Sequence, residues 1–91
     1  MTSIELRIDP SKLANPDLDI RYVLPDLIAE RSRGKIRSTG YDYEGDVFSC
    51  MILYFEAEDP SEAIAIIQNI VKNETVLENS LRLASSVRVV A

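Results

Sequence analysis

The stretch of residues 47–58 constrains the fold more than any other part of this chain, because it is apolar on both sides of an extended backbone. Successive side chains of a β-strand point to opposite faces of a sheet. One face would carry Phe48, Cys50, Ile52 and Tyr54, and the other would carry Val47, Ser49, Met51, Leu53, Phe55 and Ala57. Such a pattern is typical of a strand inside a sheet. We therefore predict a long central strand that is covered on at least one side and partly on the other.

A helix is predicted directly after this strand. Asp59 can cap it, Pro60 suits the first helical position, and Glu62 completes a capping box. The helix is expected to end near Lys72 and Asn73, which stand at its basic, polar end. The residues that would form its buried side are Ala63, Ile64, Ile67, Ile70 and Val71.

The first part of the chain predicts a strand followed by a helix. Ile4, Leu6 and Ile8 alternate with charged residues, which is typical of a half-buried strand. Asn15 can cap a helix and Pro16 fits its first position. Four residues at helical spacing would form the buried side of this helix: Ile20, Leu24, Leu27 and Ile28.

The segment that follows is predicted from its prolines and glycines. Pro25 predicts a kink or a division into two short helices. Gly34 is expected at the C′ position, the first residue beyond the helix C-cap. A second strand is expected over residues 35–39, interrupted at Gly40 and resumed through residues 41–43.

The order of these elements predicts the fold class. Residues 76–81 are expected to be irregular or helical, and residues 83–90 form a last strand. The resulting β-α-β-β-α-β order, with right-handed crossovers, predicts one α+β domain over residues 1–91. Its architecture would be a ferredoxin-like sandwich, in which two helices cover one face of an antiparallel sheet. The last strand could be an exposed edge through which two copies pair as a homodimer.

Charge and composition exclude several classes of function. The net charge of −5 opposes binding to nucleic acid or to anionic membranes, and it is compatible with a basic protein partner. The absence of histidine removes the commonest general base, so we expect no enzyme activity and no cofactor. Cys50 is expected to be a buried, inert thiol with no cation beside it. No secretory signal is visible at the start of the sequence, so the expected location is the cytoplasm.

The distribution of charge indicates a candidate partner-binding surface. No Lys or Arg occurs between Ser38 and Val71, although seven acidic residues do. Tyr41 and Tyr43 share one side of the second strand, where Tyr54 is expected to reach them across the hairpin. Aromatic and acidic side chains on an open sheet suit protein recognition, although the rings could equally serve only to cover a small core. The candidate residues are Tyr41, Asp42, Tyr43, Glu44, Asp46, Glu56 and Glu58.

Two further groups of charged residues have structural alternatives. The basic run of Arg31, Arg33, Lys35 and Arg37 could bind an anion, or it could be a solvated helix end whose cations complement the helix dipole. The acids of residues 42–46 alternate as in a cation-binding loop, but they lack the bidentate glutamate of a calcium loop. An ordinary acidic hairpin turn is the expected structure there, and we expect no metal.

The whole chain resembles the small acidic immunity proteins of bacteria, which neutralise a toxin encoded beside them. The resemblance lies in size and acidity and in two segments, residues 18–27 (LDIRYVLPDL) and 40–45 (GYDYEG). It implies a stand-alone inhibitor whose acidic surface blocks a basic toxin or enzyme. The fold order is also similar to that of ACT-like regulatory domains, which bind small molecules as homodimers. Their ligand loop usually contains glycine, whereas residues 9–16 contain none.

Overall fold

The computed structural model of the chain describes residues 2–15, 17, 19–45, 50–77 and 79–90. Within these residues the elements follow the predicted order, with a small hairpin added before the last strand. Their bounds are β1 Thr2–Ile8, α1 Ile20–Arg31, β2 Ile36–Glu44, β3 Cys50–Ala57, α2 Pro60–Asn73, β4 Thr75–Val76, β5 Asn79–Ser80 and β6 Ser85–Val90. A single 3₁₀ turn at Pro10–Lys12 follows β1.

The four long strands form one antiparallel sheet in the order β2-β3-β1-β6. The described residues thus form an α+β structure with two α-helices, which is compatible with a ferredoxin-like fold. β3 lies inside the sheet, as predicted, and β2 and β6 are its two edges.

The core lies between the helices and one face of the sheet. Ile4, Leu6 and Ile8 of β1 stand directly opposite Phe55, Leu53 and Met51 of β3, and all six are buried. Both helices contribute to the same core, through Ile20, Leu24, Ile28, Ala63, Ile67 and Ile70. We call this the helix-covered face of the sheet, and the opposite side the open face.

A bulge in β2 changes which side chains point to each face. The predicted interruption at Gly40 is a register shift between Ser38 and Gly40 within one continuous strand. Before the shift, Arg37 stands opposite Glu56 on the open face, and after it Tyr41 stands opposite Leu53 on the helix-covered face. Gly40 has φ +135°, a backbone conformation that L side chains rarely adopt. The bulge therefore turns Tyr41 and the residues that alternate with it toward the helices.

The start of α1 was predicted wrongly. The helix begins at Ile20, four residues after Pro16, and Pro16 itself lies outside the described residues. Asn15 does not cap it, because the N-cap residue is Asp19 and Asn15 instead contacts the β4–β5 hairpin: its N–H donates to Oδ1 of the buried Asn79 at 2.6 Å and its Nδ2 to the Leu77 carbonyl at 3.2 Å. The side chain of Asp17 accepts from the N–H of Asp19 at 2.9 Å, which forms a local turn before the helix. Side chain to backbone bonds thus occupy the residues that could have begun the helix earlier.

Two other features of α1 differ from expectation. Pro25 lies inside one continuous helix, so the predicted division into two short helices is wrong, whereas the alternative of a kink stays a prediction. The C′ residue is Arg33, with φ +56°, and Gly34 follows it with φ +80°. The Gly34 N–H donates to the carbonyl of Ala29 at 2.9 Å and the Arg33 N–H to that of Glu30 at 3.1 Å, which is a Schellman motif.

The segment predicted as irregular or helical contains a short antiparallel hairpin of β4 and β5. Its buried Asn79 also donates from Nδ2 to the carbonyl of Asn15 at 2.6 Å. The side-chain amide of Asn79 therefore forms hydrogen bonds with both the N–H and the carbonyl of Asn15. No helix in the described part of the chain is long and apolar enough to cross a membrane.

Candidate functional site

Three tyrosines and one arginine meet where α1 crosses the edge strand β2. The rings of Tyr22 and Tyr41 lie 6.0 Å apart, centroid to centroid, at an interplanar angle of 89°. Tyr41 and Tyr43 lie 5.9 Å apart at 71°. The Arg21 guanidinium carbon lies 4.6 Å from the Tyr22 centroid and 5.5 Å from the Tyr41 centroid, and Nη1 donates to the Tyr43 hydroxyl at 3.2 Å. We call these four residues the tyrosine cluster.

The fold places the cluster at the surface but fixes its geometry from below. α1 buries Ile20 and Leu24, so Tyr22 between them points outward. The bulge in β2 turns Tyr41 and Tyr43 toward the same side. Tyr43 is half-buried against the core, whereas Tyr22 and Tyr41 keep 51% and 44% of their surface exposed. Two rings are therefore available to a partner on a rigid support.

Hydrogen bonds within the cluster order the tyrosine hydroxyls. The hydrogen bond from Arg21, followed by that from Tyr41, lowers the pKa of Tyr22. The same bond to Tyr22 raises the pKa of Tyr41, since Tyr41 must keep its proton to donate it. These directions are those expected when the Tyr22 oxygen accepts from both Arg21 and Tyr41.

Acidic residues share the helix face that carries Tyr22. Four exposed residues recur at spacings of three and four along α1: Tyr22, Val23, Asp26 and Glu30. The exposed N-cap residue Asp19 continues the same spacing before the helix. Residues at this spacing share one face of a helix. We call this face the outer stripe of α1; Val23 within it is 40% exposed. The outer stripe contains three carboxylates and no Lys or Arg.

The predicted acidic hairpin surface is divided between the two faces of the sheet. Asp42 stands opposite Ile52 and Glu44 opposite Cys50, on the open face, whereas the neighbouring tyrosines point to the helix side. Glu56 lies on the open face as well, and Glu58 is exposed just beyond the end of β3. Asp46 lies outside the described residues. The structure therefore separates the predicted acids from the predicted tyrosines.

Tyr54 was expected to meet Tyr41 and Tyr43, and this expectation is wrong. Its neighbours in the sheet are Glu5 on one side and Gly40 on the other, so it lies on the open face. The bulge causes the difference, because without it the tyrosines of β2 would have pointed to the open face.

The open face is crossed by a chain of charged pairs. Glu5 is only 4% exposed and accepts from Arg7 Nε at 2.6 Å and from Arg88 Nε at 3.0 Å. Arg7 also donates from Nη2 to Glu44 at 2.5 Å. Burial raises the pKa of Glu5, but hydrogen bonds from Arg88 and Arg7 outweigh burial and hold the pKa below its usual value. This network joins β6, β1 and β2 across the sheet.

Cys50 does have a cation beside it, contrary to expectation. Nη1 of Arg7 lies 3.9 Å from its Sγ atom, and the side chain is half-buried, not fully enclosed. Its environment is the end of the charged network on the open face.

The basic run near the end of α1 is largely compensated by acids. Arg31 pairs with Glu74, Lys35 with Glu62 and Arg37 with Glu56, at 2.5, 3.0 and 2.5 Å. Arg33 is exposed at the positive-φ position of the helix end. Anion binding by this run stays a prediction, and the ion pairs give three of its cations a structural use.

A cleft of about 510 Å³ opens beside this run, between the start of β2, the end of β3 and the first turns of α2. Its apolar lining is Ile36, Ala57, Ala63 and Ile66. Its charged lining carries both signs, on Lys35, Arg37, Glu58, Asp59 and Glu62. Among the residues that the structure describes, no group of three or more Cys, Asp or Glu could hold a metal ion.

The structure adds Arg21, Tyr22 and Val23 to the residues that the sequence indicated. A signal for them exists in the sequence: Tyr22 and Val23 are apolar but fall outside the buried spacing of Ile20 and Leu24. Their meeting with Tyr41 is a long-range contact that local patterns do not reveal.

Comparisons with known proteins identify no relative. No protein-family model, no curated protein and no solved structure matches the chain. Functional inference therefore depends on the geometry of the site.

Proposed function

We propose that this chain is a non-enzymatic protein-binding module that captures a basic protein partner. The observation that carries the proposal is the exposed pair Tyr22–Tyr41, on a fixed support and bordered by the acidic outer stripe of α1. Tyrosine is enriched among the residues that dominate binding energy at protein interfaces, because it offers a large contact area with few rotatable bonds.

The charge around the rings supports a basic partner. Most acids elsewhere have a structural use: Glu5, Glu44 and Glu56 pair with arginines, and Asp59 caps α2 by accepting the Glu62 N–H at 3.1 Å. Within the described residues, by contrast, no ion pair joins the carboxylates of the outer stripe to a cation. Free carboxylates beside exposed aromatic rings would steer and hold Lys or Arg side chains.

The concrete form of the proposal is an immunity-type inhibitor with a ferredoxin-like fold in the bacterial cytoplasm. The strand order β2-β3-β1-β6 with both helices in one core supports the fold. The acidic patch with its aromatic centre supports blocking of a basic toxin or enzyme, and no partner that is a nucleic acid or a membrane fits a patch of this charge.

Pull-down from lysate at low and moderate salt, with matched surface variants, tests the proposal. Asp26→Lys and the double variant Ala65→Lys/Gln68→Lys change the net charge equally, because the latter two residues are exposed on α2. At low salt we expect wild type and the α2 variant to retain a basic protein, which moderate salt releases from wild type. Asp26→Lys and Tyr22→Ala should fail to retain this protein. Equal retention by all four proteins would exclude this surface.

A second candidate function follows from the cleft beside α2. An apolar floor with both charge signs on its rim suits a small zwitterionic molecule, as an ACT-like regulatory domain would bind. A metabolite thermal-shift screen tests it, because a ligand that binds only the folded state raises the unfolding temperature. Ala63→Leu, which fills the cleft floor, should abolish a true shift; a shift that survives this change would come from elsewhere.

A further inference from the structure

We propose that β6 is a self-association edge, where a second copy of this chain pairs with it in antiparallel register about a two-fold axis. β6 is the outer strand on its side of the sheet, and its six residues pair with β1 without a register shift. A regular, uncovered edge strand presents unpaired backbone donors and acceptors to another strand.

The electrostatics of β6 favour a second copy as the occupant. The chain has a net charge of −5, so two copies repel each other over most of their surface. Residues 79–90 contain no Asp or Glu. The one charge within β6 is Arg88, which the buried Glu5 of the same protomer compensates at 3.0 Å. Two copies can therefore approach along β6 without bringing like charges together.

The side chains of β6 give the edge an apolar surface on both sides of the sheet. Val89 lies opposite Ile4 on the helix-covered side, and Val90 lies opposite Ser3 on the open side. They are 43% and 36% exposed, and Leu83 in the preceding turn is 85% exposed. Pairing of two edges would remove apolar surface from water on both faces of the joined sheet.

Side-chain parity and charge restrict the register, and the longest overlap of the two β6 strands then favours an axis at Val87. In a continuous antiparallel sheet, two residues that stand opposite each other point to the same side of the sheet. The two-fold axis therefore lies between the two copies of one residue, not between neighbouring residues of a strand. An axis at Arg88 would place two arginines directly opposite each other, which is unfavourable. An axis at Val87 places the two valines together, with Val89 opposite Ser85 and Arg88 opposite Ser86.

The opposite edge does not offer a second copy the same opportunity. β2 is interrupted by the bulge at Gly40 and carries exposed Asp42, whereas its Glu44 and Arg37 pair with Arg7 and Glu56. Two such edges would bring like charges together along an irregular strand. The structure therefore separates self-association at β6 from partner binding at the β2 side, and the inference does not depend on the proposed function.

Sedimentation equilibrium over a wide protein concentration range tests the proposal. Val89→Lys and Val23→Lys are matched, because both place a lysine at a valine of similar exposure, one on β6 and one on the outer stripe of α1. We expect wild type and Val23→Lys to be dimeric and Val89→Lys to dissociate with a Kd at least about tenfold higher. Val90→Lys, checked for folding by circular dichroism, is the second β6 variant.

Disulfide trapping tests the register. In a Cys50→Ser background, Val87→Cys should form an intermolecular disulfide in air, because the two side chains face each other across the axis. Val89→Cys should not, since each would face Ser85 of the other copy. A monomeric wild type, dimers that survive both lysine variants at β6, or trapping at 89 in preference to 87 would each overturn the proposal. None of these results touches the protein-binding proposal, whose variants lie on α1.

Discussion

The two edges of the sheet are built on opposite principles. β2 is bulged, polar and acidic, and its tyrosines turn aside onto α1. β6 is regular and apolar, and its only charge is compensated from within. Exposed edges invite pairing with other strands, and proteins usually blunt them with bulges and charges. β2 carries these protections and offers side chains to a different molecule, whereas β6 lacks them and offers its backbone to its own copy.

Removal of the buried carboxylate of Glu5 should destabilise the edge of the sheet formed by β6. Glu5→Gln keeps the size of the side chain but deprives Arg88 and Arg7 of their charged acceptor. We expect the free energy of unfolding to fall by about 2 kcal/mol at pH 7, measured by urea denaturation. Hydrogen exchange should accelerate more at β6 than at β2; equal acceleration would show that the network does not hold this edge.

The difference in folding stability between wild type and Glu5→Gln should depend on pH. Because the pKa of Glu5 is lower in the folded protein than in the unfolded chain, its contribution is present above the usual pKa of a glutamate and is lost as pH falls through the lower folded value. The stability gap between wild type and Glu5→Gln should therefore close at acidic pH. A gap that stays constant down to strong acid would contradict ionisation of Glu5 in the folded state.

Substitution of Gly40, the glycine of the bulge, should disturb the edge of the sheet formed by β2. At φ +135° a Cβ on Gly40 meets no atom within 4 Å, so the cost of Gly40→Ala is conformational and not steric packing. We expect a loss of about 1–2 kcal/mol, with the Tyr22–Tyr41 contact weakened and β6 unchanged. Gly34→Ala, at φ +80°, is the control that strains the backbone away from the cluster. Unaltered tyrosine spectra in Gly40→Ala would show that the bulge does not position the rings.

The contrast between local and long-range signals also explains what the sequence could predict. β3 and α2 were predicted closely, because alternation, Asp59 and Pro60 are read within a few residues. Gly40 predicted an interruption of β2. The face of the sheet to which Tyr41 points, however, depends on how many residues the bulge adds. Tyr22, Glu62 and Glu74 meet their partners across the fold, so no local pattern reveals that the basic run is compensated or that the ring cluster forms.

The tyrosine cluster should be visible in its titration. The pKa shifts predict that Tyr22 ionises at lower pH than an ordinary tyrosine and Tyr41 at higher pH. NMR of ring carbons through an alkaline titration measures the order directly. Arg21→Met should move the Tyr22 midpoint upward, because it removes the hydrogen bond that lowers the Tyr22 pKa. An unchanged Tyr22 midpoint would mean that Arg21 does not hold its oxygen.

The smallest expected effect lies at the entry to β2. Arg33 occupies a left-handed backbone position that favours glycine, with φ +56°, and Ser32 beside it joins α1 to β2 by accepting the Ile36 N–H at 3.1 Å. Arg33→Gly should raise the free energy of unfolding by up to about 1 kcal/mol, since the left-handed strain is relieved. Arg33→Ala removes the same charge but keeps the strain, so it should not stabilise.

Equal effects of the two substitutions, measured by urea denaturation, would assign the change in stability to charge. A gain confined to Arg33→Gly assigns it to the backbone. Protection of β2 amides should then rise while that of β6 stays constant, because the relieved turn leads into one edge only.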